Sequence, residues 1–169
     1  MNKEFKTIEP KELTDNVFSL VSKDWMLITS GTLEIYNTMT ASWGGMGYLW
    51  NKNVCFIFVR PSRYTYEFME KNDNFSLSFF TEEWRNALTI CGKKSGRDID
   101  KAKETGLEPI SGNNNTTGFD QAKLIIECKK LYFQDFNPEQ FLDHTIEKNY
   151  IGGDYHRMYV GEILSIHTK

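Results

Sequence analysis

The sequence predicts an antiparallel β-barrel with short helices, and three observations carry that reading. Stretches of strand length either alternate in polarity or run apolar without a break, and Gly, Pro and Asn clusters separate them. The segments between them are too short and irregular to be the helical crossovers that a doubly wound parallel sheet requires. The chain has 169 residues, 40% of them hydrophobic and 25% charged, enough to bury one core. Residues 1–169 therefore read as a single domain with its core between about 25 and 166.

Taken in order, Pro10 fits the first turn of a short helix, with Leu13, Val17, Leu20 and Val21 on one face. Asp24 to Thr29 reads as a strand, Ser30-Gly31 as a turn, and Thr32 to Thr38 as a second strand. Val54 to Val59 is an unbroken apolar run, expected to be a strand buried on both faces and ended by Pro61. Thr65 to Lys71 suits one or two helical turns, Asn72 to Asn74 a turn, and Phe75 to Phe79 a strand of period two. Thr81 is placed to cap a helix running from Glu82 to about Ile90 and stopping near Gly92. Asp98 to Thr105 makes another short helix closed by Gly106. Ser111 to Gly118 is rich in Asn, Gly and Thr, lacks an apolar anchor, and reads as a mobile loop. Ala122 to Phe133 is a long strand, Pro138 to Asn149 holds a helical turn or two, and Gly152 to Asp154 turns into a last strand, Tyr155 to Ile166. No internal repeat, linker or low-complexity tract interrupts this plan.

Bulk chemistry narrows the function classes. A net charge of −3 makes no electrostatic case for nucleic acid or an acidic membrane as partner. Met1 to Lys11 carries Lys and Glu without an apolar run, so no signal peptide is expected, and no stretch approaches the roughly 20 apolar residues of a membrane span. Cys55, Cys91 and Cys128 are odd in number and widely spaced, which suits a reducing cytoplasm better than a disulfide framework. His144, His156 and His167 lack metal-ligand spacing, and the cysteines lack C-x-x-C pairing. There is no Gly-x-Ser-x-Gly elbow, phosphate-loop pattern or Gly-x-Gly-x-x-Gly fingerprint. Aromatic residues make up 14%, enough to fill a core and also line a ligand slot or a subunit interface.

Three segments mix small hydroxyl residues with rings or fixed positive charge. Arg60 and Arg63 flank Pro61-Ser62 where the apolar strand ends, and Tyr64-Thr65 opens the next helix. Arginine forks, hydroxyls and free first-turn N–H groups are all phosphate partners, although a solvated loop with two surface arginines reads the segment equally well. The segment Cys91-Gly92-Lys93-Lys94-Ser95-Gly96-Arg97-Asp98 is basic. From Arg85 to Lys103 six Lys or Arg against two Asp leave a local excess of +4 in an acidic chain. Its glycines permit the close backbone approach of an anion cradle, while a basic surface turn is the plainer reading. Cys91 beside that loop reads as a small packing residue, although the positive charge is of the kind that lowers a thiol pKa. Asn37-Thr38-Met39-Thr40-Ala41-Ser42-Trp43 is uncharged and small, so its backbone can approach a flat ring with Trp43 packed beside it, or it is a simple strand end. His156, within Gly153-Asp154-Tyr155-His156, stands at the start of the last strand, as a site residue or as strand packing.

In this order, and with the late Gly153-Asp154-Tyr155-His156 and Gly161-Glu162-Ile163, these segments resemble the flavin reductase-like, or flavoredoxin-like, family over about Trp25 to Leu164. The resemblance implies an FMN-binding split β-barrel, a homodimer with flavin near its interface, and an oxidoreductase whose FMN is reduced by NADH or NADPH or passes electrons to a protein acceptor. A non-enzymatic FMN carrier is the alternative. By that analogy Thr38, Thr40, Ala41, Ser42 and Trp43 meet the isoalloxazine. Arg60, Ser62, Arg63 and Thr65 meet the phosphate and ribityl chain, and Lys93, Ser95 and Arg97 close the phosphate end. Asn37, Met39, Tyr64, Cys91 and Gly92 belong to the same cofactor-binding stretches, and His156 carries over as the candidate catalytic residue on the nicotinamide side.

Overall fold

The computed structural model describes residues 4–169. Among the described residues, ten strands alternate with short helices. The strands are β1 (Lys6–Ile8), β2 (Met26–Gly31), β3 (Tyr36–Ala41), β4 (Gly44–Leu49), β5 (Lys52–Val59), β6 (Asn74–Phe79), β7 (Pro109–Ser111), β8 (Thr117–Phe119), β9 (Leu124–Asp135) and β10 (Arg157–Thr168). The α-helices are α1 (Val17–Ser19), α2 (Tyr64–Lys71), α3 (Arg85–Lys93) and α4 (Lys101–Thr105). The main sheet is antiparallel in the order β3-β2-β6-β9-β10-β5-β4, with β1 also on β10, and β7-β8 form a separate hairpin. Its end strands, β3 and β4, do not pair, yet only Ser42 and Trp43 separate them in sequence. The sheet must therefore curl until its two ends nearly meet, which makes it a mainly β split barrel with an open seam at Ser42-Trp43.

Alternation along the strands assigns the two faces. Met26, Ile28, Cys55, Ile57, Val59, Phe75, Leu77, Ile126 and Tyr159 fill the barrel. Leu27 and Ile125 point the other way, into a second cluster with Leu88 and Cys91 of α3, Ala102 of α4 and Phe119 of β8. This outer cluster fastens α3 and α4, and with them the basic segment, against β2 and β3.

Several elements differ from the sequence reading. The single amphipathic helix after Pro10 is broken. Pro10–Glu12 is one 3-10 turn, and α1 starts afresh where the Asn16 side chain accepts from the Ser19 N–H (3.1 Å) before passing into a π-helical stretch, Leu20–Asp24. The second strand begins at Tyr36, because Thr32 and Ile35 bond to each other in a tight turn. Strand β4 was not predicted: its three glycines hide the alternation, and its hairpin turns at Trp50-Asn51, both at positive φ (52° and 58°). Strand β5 is fully buried on one face only, with Phe56 and Phe58 half-buried on the other. Thr81 gives its hydroxyl to Glu83, and a 3-10 turn, Glu82–Trp84, leads into α3. The helix predicted from Asp98 starts at Lys101, capped by Asp100 and closed by Gly106 at φ 73°.

The segment Ser111 to Gly118 is a bound hairpin. Its anchor is polar: the Glu127 carboxylate, fully buried on β9, accepts from the N–H groups of Asn113 (3.0 Å) and Asn114 (2.8 Å) and from the Thr116 hydroxyl (2.7 Å). His167 Nε2 lies 2.7 Å from the same carboxylate. Burial alone would raise this carboxyl, but the bonds from His167, Thr116, Asn113 and Asn114 bring it down to about 2. The reading of Met1 to Lys11 falls partly on residues 1–3, which lie outside the described residues. Among the described residues, no helix is long and apolar enough to cross a membrane.

Candidate functional site

Two adjoining cavities open where β3, the exit of β5 and the end of α3 meet. The first, of about 150 Å3, is lined by Met39, Thr40, Ala41, Ser42, Trp43, Phe58, Arg60, Arg63 and His156. The second, of about 160 Å3, is lined by Met39, Ser62, Arg63, Tyr64, Thr65, Lys93, Lys94, Ser95, Gly96 and Lys101. Met39 and Arg63 belong to both. One is a slot at the barrel seam whose walls mix Met39, Ala41, Trp43 and Phe58 with hydroxyls, His156 and two arginines, and the other is an adjoining polar basin.

The slot depends on the seam. Ala41 ends β3 and Gly44 starts β4, so Ser42 and Trp43 form the link between the two unpaired end strands and line the cavity. Trp43 leans on His156, ring centroids 5.3 Å apart, and Phe58 stands edge-on to the same imidazole at 6.4 Å. His156 is buried and its Nδ1 lies 2.9 Å from the Tyr150 hydroxyl. Burial and the nearby Arg60 charge depress its pKa to about 4, so the ring is neutral at pH 7. Arg60 donates to Asn149 O (2.7 Å) and lies over the Tyr150 ring, which keeps it on the slot side.

The basin gathers charge. Arg63 is the N-cap residue of α2 but supplies no capping side chain; its guanidinium donates to Gly92 O (2.8 Å). The first-turn N–H groups of α2 therefore have no capping side chain where Tyr64 and Thr65 line the basin. Lys101, 7% exposed, gives two of its three donors to Thr38 O and Cys91 O, both at 2.7 Å. Burial lowers its pKa to about 8, and the Arg63 charge also disfavours protonation. Lys94 is neutralised by Glu104 (2.8 Å). Arg63, Lys93 and Lys101 have no carboxylate partner among the described residues. Lys93 is exposed and Arg63 half-buried, whereas Lys101 is a buried cation with carbonyl partners only, which is costly to hold and leaves room for an anion.

The remaining sequence candidates sit around these cavities in distinct ways. Ser62 is held by Asp154, which accepts from both its N–H (3.2 Å) and its hydroxyl. Thr40 lines the slot while its hydroxyl bonds to Leu88 O. Asn37 and Thr38 lie outside both cavities. The Asn37 amide bonds to the Thr65 hydroxyl (2.7 Å), and the Thr38 hydroxyl faces Thr29 (2.8 Å) inside the sheet. Gly92 packs on Thr40 and offers its carbonyl to Arg63. Arg97 points away, bonded to Glu67 and resting on the Tyr64 ring at 4.5 Å. Cys91 is wholly buried, and its thiol is pushed up to about 11 by burial, which outweighs the Lys101 charge. Sequence reading missed Lys101, Phe58, Tyr150 and Asp154. Lys101 looks like any exposed helical lysine, and only the docking of α4 under the basic loop turns it inward.

The model of the flavin reductase like domain matches residues 18–169, so the chain belongs to that family. No curated protein matches the sequence. Among solved structures it resembles a flavoredoxin from Methanosarcina acetivorans, at 21% identity and TM-score 0.69, covering 96% of this chain and 76% of that one. It also resembles an FMN-binding protein from Thermus thermophilus with bound p-hydroxybenzaldehyde, at 18% identity and TM-score 0.70, covering 97% and 82%. The NADH:FAD oxidoreductase of Streptomyces globisporus is similar at 14% identity and TM-score 0.64, covering 86% and 75%. These likenesses support the split-barrel fold; the chemistry rests on the cavities.

Proposed function

We propose that the protein is an FMN-binding oxidoreductase that reduces flavin with NADH or NADPH and hands the electrons to an acceptor. One observation carries this reading. A slot walled in part by the rings of Trp43 and Phe58 adjoins a basin holding three cations without carboxylates, and the two share Met39 and Arg63. A phosphorylated tricyclic ring has that distribution of charge, and the donor set fits it.

In this reading Arg63, Lys93 and Lys101 hold the phosphate, with the α2 first-turn N–H groups and Ser95 beside them. Backbone from Thr40 to Ser42 meets the polar ring edge, and Trp43 and Phe58 exclude water from its faces. Bound there, FMN would supply hydride and electron-transfer chemistry that no side chain carries. His156, neutral and bonded to Tyr150, fixes one wall of the slot and adds no charge to it. Arg60, Ser62 and Asp154 fix the loop after β5, which sets the spacing of the two cavities. The three cysteines are buried free thiols, Cys55 and Cys128 with their sulfurs 3.4 Å apart, which supports a reducing, cytoplasmic setting. Exposed aromatics on β4, on β9 and in the β4–β5 turn, including the edge-on pair Trp50 and Tyr132 at 6.2 Å, support a homodimer of one-domain chains.

The absorption spectrum of the purified protein tests the site. Oxidised-flavin bands and released FMN are expected, and a colourless protein that also fails to bind added FMN defeats the proposal. A second reading, a carrier that exchanges electrons with a protein partner and oxidises no nicotinamide, is favoured by the likeness to a flavoredoxin. Stopped-flow mixing of the flavin-loaded protein with NADH and NADPH separates the two. Rapid bleaching identifies the enzyme, and reduction only by a protein donor identifies the carrier.

A further inference from the structure

Behind Lys101 lies a third cavity, of about 310 Å3, larger than either part of the flavin site. It shares Tyr64, Gly96 and Lys101 with the phosphate basin, so the two are divided by a thin wall whose only cation is the buried lysine. Gly96 keeps that wall thin: a Cβ there would lie 1.9 Å from Asn37 Oδ1 and 3.4 Å from the Tyr64 ring. A side chain at this position would have to displace the Asn37 amide, which is bonded to the Thr65 hydroxyl.

The cavity has a definite polarity. Positive charge sits only at the shared wall. Aromatic and aliphatic groups line the rest of it, with Tyr64 and Phe68 edge to face at 5.1 Å and Ile35 and Ile99 in the same lining. Carboxylates of Glu34 and Asp100 stand in the lining as well. The Tyr36 hydroxyl, pushed up to about 12 by burial and by Asp100, remains a neutral donor. A complementary ligand has an anion at one end, a flat ring in the middle, and hydroxyl or amino donors for the carboxylates. An adenylate has these parts in a volume this cavity can hold.

We propose that this cavity is a nucleotide subsite that receives the adenylate half of a dinucleotide, with the pyrophosphate lying across Gly96 and Lys101. The inference rests on the flavin reading of the adjoining cavities. Two dinucleotides supply that chemistry: FAD, with its flavin in the slot, and a reduced nicotinamide dinucleotide bound to the FMN-loaded protein.

Calorimetric titration distinguishes the outcomes. FMN and FAD are titrated into flavin-free protein, and NADH into FMN-loaded protein. The wild type is compared with Ile99→Trp, which fills the cavity, and with Ile35→Asp, whose side chain is on the rim at 73% exposure and is dispensable for folding. FAD is expected to bind at least tenfold more tightly than FMN. Both variants should lose most of that advantage while FMN affinity stays within twofold. If the variants weaken NADH at least fivefold and leave FAD unchanged, the subsite stands with nicotinamide dinucleotide as its source. If neither FAD nor NADH responds to either variant while FMN binds normally, the subsite is refuted and the flavin site survives. Failure of the wild type to bind FMN at all refutes the flavin reading and this inference with it.

Discussion

Replacing Lys101 with methionine removes one positive charge from the phosphate basin and nearly preserves the length of the side chain. The change is informative because Lys101 is 7% exposed and bonds only to the carbonyls of Thr38 and Cys91. A hydrogen bond from a charged donor contributes about 1.5–3 kcal/mol, so loss of the phosphate contact should raise the FMN dissociation constant by about tenfold to 150-fold. Riboflavin has the same ring and no phosphate, and its affinity should change less than threefold. Fold stability should move little, for two opposed reasons. Burial lowers the lysine from an ordinary 10.5 to about 8, a cost on the order of 3 kcal/mol at neutral pH that methionine does not incur. Against this, two buried carbonyls lose their donor, at about 1–3 kcal/mol each.

The sign of the pH effect follows from the same shift. The folded value lies below the unfolded one, so the destabilising cost of the buried charge is fully present below about 8 and fades as pH rises towards 10.5. Wild-type stability should therefore rise across that window, and the methionine variant should lack the rise. FMN binding runs the other way. The ligand phosphate is dianionic above about pH 6, so wild-type affinity should weaken above pH 8 as free Lys101 loses its proton, and the variant should stay flat there. Fluorescence titration of FMN and riboflavin at pH 7, 8 and 9 reads all of this. Equal losses for both flavins would reduce Lys101 to a structural role, and an unchanged FMN affinity would move the phosphate elsewhere.

Other consequences are open to equally direct tests. Arg63→Ala should weaken FMN at least tenfold, whereas Arg97→Ala should change it less than twofold, because Arg97 is bonded to Glu67 outside both cavities; reversed effects would exchange their roles. Glu127→Gln removes one partner of a buried charged cluster and should cost on the order of 3 kcal/mol in chemical denaturation. Amide exchange at Asn113 and Asn114 should accelerate in that variant, and unchanged protection would disprove the anchor. Since Glu127 falls from an ordinary 4.5 to about 2, the wild-type contribution holds above about pH 4.5 and is lost as pH falls through 2, a dependence the variant should lack. His156, depressed to about 4, predicts no histidine-like inflection between pH 5.5 and 7.5 in any flavin-reduction rate. An inflection near 6.5 abolished by His156→Asn would overturn the neutral assignment.

What the sequence made legible, and what it did not, divides along a physical line. Local signals survived translation into structure. The apolar run at Val54–Val59 is strand β5, Phe75–Phe79 keeps its period of two in β6, and Gly106 closes α4 in the left-handed region. The hydroxyl, arginine and lysine segments meet because β3, β5 and α3 end at one rim of the barrel, so their chemistry could be read before their geometry. Strand β4 was hidden because Gly44, Gly45 and Gly47 carry no side chains to alternate, although Asn51 in its hairpin turn is the residue type that tolerates positive φ. The loop at Ser111–Gly118 looked free because its anchors are polar and distant in sequence: Asn74 and Ser76 of β6, Ser165 of β10 and, above all, a carboxylate on β9 of a type usually found at the surface. Lys101 was hidden for the same reason. A buried charge is defined by what surrounds it, and its surroundings are the carbonyls of Thr38 and Cys91, supplied by a strand and a helix that the sequence does not place beside it. In this fold the groups that escaped a residue-by-residue reading are the ones whose burial has to be offset by a partner. In Glu127 that partner is within the chain. For Lys101 the backbone supplies only part of it, and that remaining deficit is the strongest physical case for an anionic ligand.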